Sequence, residues 1–267
     1  MTILEKIVAH KRTEVAQRKE LYHTKLLERS IHFNAQCVSL RKYLLRDDLF
    51  GIIAEIKRKS PTKGNINKYV NVERTSIGYM MAGASALSIL TDTTFFDGKS
   101  EDLTTARKFN FCPILRKDFI VDEYQIIEAK SIGADAILLL ANVLSADEIK
   151  RFSSLAKSLG MESLLEVHDA AGLNSLAEQV DLVGVNNRNL DDFSVSLDNS
   201  LKVLEAIPKN MVSISESGLE NPVDVLRLKA AGFRGFLIGE HFMKHGRPEV
   251  ACTEFIQQLK QLSLETA

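Results

Sequence analysis

Hydrophobic and polar positions along this chain alternate between two textures. Short, β-rich apolar runs recur, and between them lie longer stretches with apolar residues at helical spacing. The apolar runs are Gly51–Ile56 (GIIAEI), Ala86–Leu90 (ALSIL), Pro113–Leu115 (PIL), Ala136–Leu140 (AILLL), Ser163–Val167 (SLLEV), Leu182–Val185 (LVGV), Val212–Ser215 (VSIS) and Gly235–Ile238 (GFLI). Most are continuously apolar, the pattern of strands covered on both faces of a parallel sheet. Helices are predicted at Val70–Ala82, Ser100–Phe109, Glu123–Ser131, Ser145–Leu159, Ala170–Glu178, Leu197–Ile207, Asn221–Ala231 and Pro248–Leu262. Ser145 and Glu148 form a capping-box pattern, Gly160 and Gly232 are stops, and Pro222 suits a first helical position. The phrases MAGASALSI (Met81–Ile89), SIGADAILL (Ser131–Leu139) and AAGFRGFLI (Ala230–Ile238) repeat one joint, helix then Gly turn then strand.

Eight such alternations predict an α/β fold, a (β/α)8 TIM barrel, over residues 49–267. A doubly wound sheet usually has fewer strands and a Gly-rich first turn, and no GxGxxG follows the first run. Residues 1–48 read as an N-terminal helical extension packed on the barrel, the whole forming a single domain. Thr2–Glu5 is a capping box for a first helix with Ile3, Ile7, Val8 and Val15 on one side. Leu26–Ser30 and Ser39–Leu45 are further short helices. The pattern fits either a cap under the barrel or a lid over its mouth and does not choose between them.

Composition narrows the function. The 267 residues are 45% hydrophobic and 26% charged, ordinary for a globular domain. With 34 basic and 35 acidic side chains the formal charge is −1, which gives no reason to expect a nucleic-acid partner. No apolar run approaches the roughly 18 residues of a membrane span. The first nineteen residues carry charges throughout and lack the apolar core of a secretory leader. Cys37, Cys112 and Cys252 are odd in number and scattered, which fits a reduced cytoplasmic protein. Neither they nor the six histidines show metal-ligand spacing; His241 and His245 read as a solvated pair.

In such a barrel chemistry sits where strands end. The first run ends A-E-I-K-R-K-S-P, so Glu55 and Lys57, two apart, face the same way, and Ser60 follows in the loop. The third run leads to Lys117, the fifth to Glu166, and the sixth to Asn186 and Arg188. The seventh leads to Glu216, Ser217 and Gly218, and the eighth to Gly239 and a short helix, Glu240–Met243. Singly, each has an ordinary explanation. Lys57, Lys59 and Lys63 suit a solvated loop, Glu166 a structural ion pair, and Asn186 and Ser217 caps or turns. Gathered at one mouth they point to acid–base chemistry, because a structural protein rarely desolvates so many charges and because clustered groups shift each other's pKa. Gly218 and Gly239, with a helix starting after the second, form a phosphate-site pattern.

The phrase IIAEIKRKSPTKG (Ile52–Gly64) resembles the first-strand signature of the indole-3-glycerol-phosphate synthase family of tryptophan biosynthesis. SILTDTTFFDG (Ser88–Gly98), PILRKDFIVDEYQI (Pro113–Ile126), LLEVHD (Leu164–Asp169), VGVNNRNL (Val183–Leu190), SESGL (Ser215–Leu219) and FLIGE (Phe236–Glu240) agree in order. So does the N-terminal ILEKIVAHKRTEV, and the resemblance covers essentially the whole chain. Asp92, where Glu is more usual, and Glu240, where some members carry Ser, are departures. The resemblance implies a carboxy-lyase that closes 1-(2-carboxyphenylamino)-1-deoxyribulose 5-phosphate to indole-3-glycerol phosphate, releasing CO2 and water, with no metal and no organic cofactor. It implies a catalytic set of Glu55, Lys57, Lys117, Glu166, Asn186 and Ser217. Ser60, Arg188 and Glu216 would bind substrate, and Gly218, Gly239 and Glu240 would hold phosphate by backbone N–H. Lys117 would be the general acid, Glu166 the acid–base partner in water loss, Lys57 the grip on the anionic groups, and Glu55 its positioner. The division of labour between Lys57 and Lys117 stays open at this point. Carbonyl attack calls for a proton donor, and a lysine with a lowered pKa is expected in that role. Other tryptophan-pathway enzymes are candidate partners. The isomerase that makes this substrate would use a Cys–Asp pair at strand ends, and Cys112 stands at a strand entry instead. A degenerate, non-catalytic barrel would not keep Glu55, Lys57, Lys117 and Glu166 together.

Overall fold

The structure, a computed structural model, describes residues 1–188 and 194–265. Eight parallel strands among the described residues close into a barrel in chain order, the first pairing the last through Ile53 and Leu237. They are β1 (Ile52–Ile56), β2 (Ala86–Leu90), β3 (Ile114–Lys117), β4 (Ala136–Leu140), β5 (Glu162–Val167), β6 (Leu182–Asn186), β7 (Val212–Glu216) and β8 (Gly235–Ile238). The predicted strands are thus present, and β3, β6 and β7 each run on to include the polar residue that the apolar pattern placed just beyond them. Among the described residues no helix is long and apolar enough to cross a membrane.

Strand alternation divides the apolar residues into two cores. Inward-facing Ile53, Ala86, Leu115, Ala136, Leu138, Leu164, Leu182 and Ile214 fill the barrel. The other parity, including Ile52, Leu87, Ile114, Ile137, Leu165 and Val183, packs under the surrounding helices. Because both faces are covered, the strands read as unbroken apolar runs.

Three helices precede the barrel: α1 (Ile3–Leu21), α2 (Thr24–Leu27) and α3 (Leu40–Leu44). The Thr2–Glu5 capping box starts α1 as the spacing predicts. The extension reaches both ends of the barrel, so it is cap and wall at once. At the bottom, Leu40 and Leu44 of α3 join the inner core. There the Val38 N–H donates to Asp135 (2.8 Å), and the Arg41 N–H donates to Glu162 (2.8 Å), at the entries of β4 and β5. At the mouth, Lys11 of α1 is almost wholly buried and its Nζ lies 2.8 Å from Asp92, 3.0 Å from Asp118 and 3.1 Å from Glu14. Burial disfavours that ammonium, yet Asp118 and Asp92 outweigh it and raise its pKa. Asp118, buried between Lys11 and Arg116, is held down at about 2 despite its burial. Asp92 also accepts the N–H of Phe95 (2.8 Å), so the residue noted as a departure is a structural anchor.

The remaining helices are α4 (Val72–Ala82), α5 (Ser100–Phe109), α6 (Glu123–Ser131), α7 (Ala146–Ser158), α8 (Leu197–Leu204), α9 (Pro222–Ala231), α10 (Glu240–Met243) and α11 (Pro248–Glu265). One expectation fails. The helix predicted over Ala170–Glu178 is a 3-10 helix of six residues, Ala170–Ser175. Its start is held by Asp169 accepting the Gly172 N–H, and Gly172 lies so close to Val167 that a Cβ would sit 3.0 Å from that side chain. A two-residue hairpin, Lys59–Ser60 with Gly64–Asn65, follows β1 and was not legible as strand.

Removing one partner of a buried ionic cluster leaves uncompensated charge, which typically costs about 3–5 kcal/mol. Lys11→Met, which keeps the bulk of the stem but strands Asp92 and leaves Asp118 with Arg116 as its one cation, is expected to lower the unfolding free energy by about that amount. Urea unfolding of both proteins at neutral pH checks it; a change under about 1 kcal/mol would mean that α1 is held by its apolar face alone.

Candidate active site

The inward parity that fills the barrel floor with leucines ends, strand after strand, in a polar residue. Glu55 follows Ile53 by two, Lys117 follows Leu115, Glu166 follows Leu164, and Glu216 follows Ile214. Asn186 stands two beyond Gly184 on β6. Period-two alternation therefore aims all five side chains at the barrel axis, one layer above the apolar floor. They line a cavity of about 490 Å3 at the C-terminal mouth. All twelve residues singled out from the sequence line it, including Lys57, Ser60, Arg188, Ser217, Gly218, Gly239 and Glu240. Asn189 and Leu190, which end the VGVNNRNL phrase, lie outside the described residues.

Lys117 is the centre. Its Nζ donates to Glu166 Oε2 at 2.8 Å and to Glu216 Oε2 at 2.6 Å. Asn186 Nδ2 donates to the other Glu166 oxygen at 2.9 Å, and the His168 ring nitrogen lies 3.9 Å from it. Lys57 Nζ pairs with Glu55 Oε1 at 2.9 Å, and Ser88 donates to Glu55 Oε2 at 3.3 Å. Burial disfavours a charge on Lys117, but Glu166, Glu216 and Glu55 outweigh it and hold its pKa above the ordinary 10.5. The expectation of a lowered lysine pKa is therefore reversed: the neighbours are carboxylates rather than a second cation in contact. Burial also opposes ionisation of Glu166, yet Lys117 and His168 bring its carboxyl down to about 2. Glu216 goes the other way. Burial, with Glu166 and Glu55 nearby, pushes it up to about 7 against the pull of Lys117. Its Oε1 is buried with no hydrogen-bond partner among the described residues. One ammonium shared by two carboxylates leaves Glu216 as the group whose ionisation is held back.

The rim carries the remaining charges. Arg188 and Lys63 flank Glu240, at 3.4 Å and 3.6 Å from its two oxygens. The Arg188 N–H donates to Asn186 Oδ1 at 2.9 Å, so the β6 loop orients the amide that holds Glu166. Ser60 Oγ accepts the Lys63 N–H at 3.1 Å and shapes the β1 loop. Ser217 and Gly218 both take left-handed backbone, φ 70° and 74°, turning the chain sharply after β7. Asn187 locks that turn by donating to the carbonyls of Glu216 (3.0 Å) and Ser217 (3.1 Å). At Gly239 the close approach is to Glu55: a Cβ there would lie 2.5 Å from Glu55 Oε1. That glycine thus makes room for a carboxylate, whatever its N–H does. The opposite wall is apolar, built from Ile3, Leu4 and Ile7 of α1 with Phe96 and Phe119. Sequence reasoning missed His168 and Asn187, though each lies within two residues of one it chose, and it missed this wall.

A buried general-acid candidate flanked by carboxylates, at the C-terminal mouth of a closed barrel and beside a loop and helix start suited to phosphate, defines a (β/α)8-barrel enzyme. The chain belongs to the indole-3-glycerol phosphate synthase family, whose model matches residues 4–255. It is 43% identical over 258 residues to the indole-3-glycerol phosphate synthase of Bacteroides thetaiotaomicron, covering 97% of this chain and 99% of that one. The corresponding enzyme of Caldanaerobacter subterraneus subsp. tengcongensis is 38% identical, again over 97% and 99%. Among solved structures, thiamine phosphate pyrophosphorylase from Pyrococcus furiosus matches with a TM-score of 0.60 at 16% identity, covering 84% of this chain and 98% of its own. A chain of the tryptophan synthase α2β2 complex from Pyrococcus furiosus matches at 0.56 and 15% identity, over 79% and 98%. These two similarities concern the fold.

The raised carboxyl gives a signed pH prediction. Between the ordinary 4.5 and about 7 the folded chain holds more protons on Glu216 than the unfolded chain, so stability falls as pH rises through that window. The shift corresponds to about 3 kcal/mol. Glu216→Gln abolishes the titration, so its stability relative to wild type should rise from pH 4.5 to pH 7 by up to that amount in urea unfolding. A difference that stays flat with pH would show that Glu216 is charged throughout.

Proposed function

We propose that this chain converts 1-(2-carboxyphenylamino)-1-deoxyribulose 5-phosphate to indole-3-glycerol phosphate, with loss of CO2 and water. The observation that carries the reading is Lys117, held between Glu166 and Glu216 at the floor of a half-apolar, half-ionic cavity. The ring carbon that bears the carboxylate attacks the ketose carbonyl. Lys117 gives its proton to the carbonyl oxygen as that oxygen becomes basic, and the protonated Glu216 carboxyl, in contact with it, returns one. The carboxylate then leaves as CO2, returning its electron pair to the ring. The new hydroxyl leaves as water, with Glu166 carrying the protons.

Lys57, paired with Glu55, neutralises the substrate's anionic groups, the departing carboxylate among them. Asn186 keeps Glu166 oriented, and Ser60, Arg188 and Ser217 contact the substrate. Glu216 acts through Lys117 rather than by gripping substrate, as its burial beneath the lysine supports. The phosphate is assigned to the backbone N–H groups of Gly218, Gly239 and Glu240. The Glu240 side chain is turned toward Arg188 and Lys63, which spares the phosphate a like charge. The benzene ring packs on the apolar wall that Ile3 and Ile7 of α1 form with Phe119. Residues 1–48 serve the barrel of 49–267 as one domain, a reading supported by Lys11 at the mouth and Leu40 at the floor. A reducing cytoplasmic setting suits the three free cysteines, and other tryptophan-pathway enzymes are its candidate partners.

The direct test is incubation with the carboxyphenylamino sugar phosphate while indole fluorescence is followed. Lys117→Met should lower kcat on the order of 10²–10⁴-fold, the usual worth of general acid catalysis, while substrate still binds. A kcat within about threefold of wild type would move the acid role to Lys57. Glu166→Gln keeps the shape and the Asn186 contact but carries no proton. It should slow turnover and remove the limb of the pH–rate profile that this carboxylate sets; an unchanged profile would make Glu166 a structural partner only.

A further inference from the structure

Gly184 interrupts an otherwise branched and bulky strand, LVGVN. Glycine in a strand interior weakens it relative to alanine and calls for a reason. Backbone conformation is not that reason, since Gly184 is absent from the residues with positive φ. Space is. Gly184 lies on the inward face of β6, paired in register with Glu166 on β5 and Ile214 on β7. A side-chain carbon built on it would overlap Glu216 Oε1 and lie 3.2 Å from the Glu216 carboxyl carbon. Its next neighbour, Leu164 Cδ1, is at 3.3 Å, a contact that a small side-chain shift relieves.

Glu216 stands opposite Asn186 in register, one inward position above Gly184. Its side chain therefore leans down and across, and the place a β6 side chain would fill is taken by Oε1. With Oε1 seated there, Oε2 comes up against Lys117 Nζ at 2.6 Å. Any larger residue at 184 would lift the carboxylate out of its seat and change the angle at which it meets the lysine. We propose that Gly184 is a positioning residue for the ring-closure reaction: its missing side chain is the seat that sets Glu216 against Lys117. Gly239 bears the same relation to Glu55, so two of the three carboxylates that follow the inward layer of the floor rest over glycines. This inference rests on the functional reading above only for its kinetic consequence; the seat itself is a matter of packing.

The test is a double-mutant cycle on Gly184→Ala and Glu216→Ala. Gly184→Ala alone should lower kcat at least about tenfold with KM within about threefold, and should lower the Tm. With Glu216→Ala already present the seat is vacant. Adding Gly184→Ala should then leave kcat within about twofold of the Glu216→Ala value and cost no further Tm. Additive losses in kcat or Tm would overturn the proposal by placing the need for glycine at Leu164. So would wild-type kcat in Gly184→Ala, or wild-type kcat in Glu216→Ala. If Gly184→Ala does not fold, folding restored by Glu216→Ala supports the seat, and failure in both backgrounds overturns it. Should wild type itself leave the substrate unchanged, the functional reading fails, while the two Tm comparisons still decide the packing claim.

Discussion

A lysine ammonium buried in a barrel mouth is unfavourable alone, and so is each carboxylate beside it. Lys117, Glu166 and Glu216 are therefore held together by mutual need, because removing any one strands the others in a poorly solvated place. Nearly every other feature of the mouth serves that contact. Asn186 holds the far side of Glu166, Arg188 holds Asn186, and Asn187 fixes the left-handed turn that follows Glu216. The apolar floor below and the apolar wall of α1 beside it reduce solvent screening and strengthen each charge–charge contact.

The end of β3 shows how little chain is needed to join this site to the scaffold. Arg116, Lys117 and Asp118 are consecutive, and alternation sends the middle one inward and its neighbours outward. Arg116 reaches Glu128 of α6 at 2.6 Å and Asp118 at 3.1 Å, and Asp118 in turn meets Lys11 of α1. Arg18, further along α1, closes the circuit onto Glu128 at 2.5 Å. The helix that walls the cavity is thus tied to the strand that carries Lys117 through side chains one residue either side of it. Displacing α1 would disturb the backbone on which Lys117 sits.

Legibility in the sequence followed the periodicity. Glu55 and Glu166 could be picked out because each puts a charge into an inward position of an otherwise apolar run, and Lys117 because it stands just past the end of one. The barrel itself was legible for the same reason, as doubly covered strands leave a continuous apolar signature. What depended on three-dimensional approach was not. Lys11 reads as one more solvated helical lysine until Asp92 and Asp118 close on it. Gly184 reads as a weak point in a strand. Gly239 reads as a phosphate glycine, though its close contact is Glu55. The direction of the Lys117 shift was misjudged because it depends on how many carboxylates lie within hydrogen-bonding reach, and sequence order does not count them. The helix over Ala170–Glu178 failed because Asp169 and the tight approach of Gly172 to Val167 favour a shorter, tighter turn.

The same residue types build two clusters on opposite sides of β3, and their charge balance sets the two apart. Around Asp118, two cations, Lys11 and Arg116, make direct contact, and its carboxyl is driven down to about 2. It stays ionised at any working pH and can only hold things in place. Around Glu216, one cation is shared with Glu166, and the carboxyl is pushed up to about 7. A group poised there exchanges its proton near neutral pH. Adding one cation to the mouth would turn it into another clamp; removing one from the clamp would free its carboxylates to titrate. The deficit of positive charge beside Lys117 is therefore what leaves a carboxyl there able to titrate, and the paired network behind it is what lets the fold tolerate the deficit.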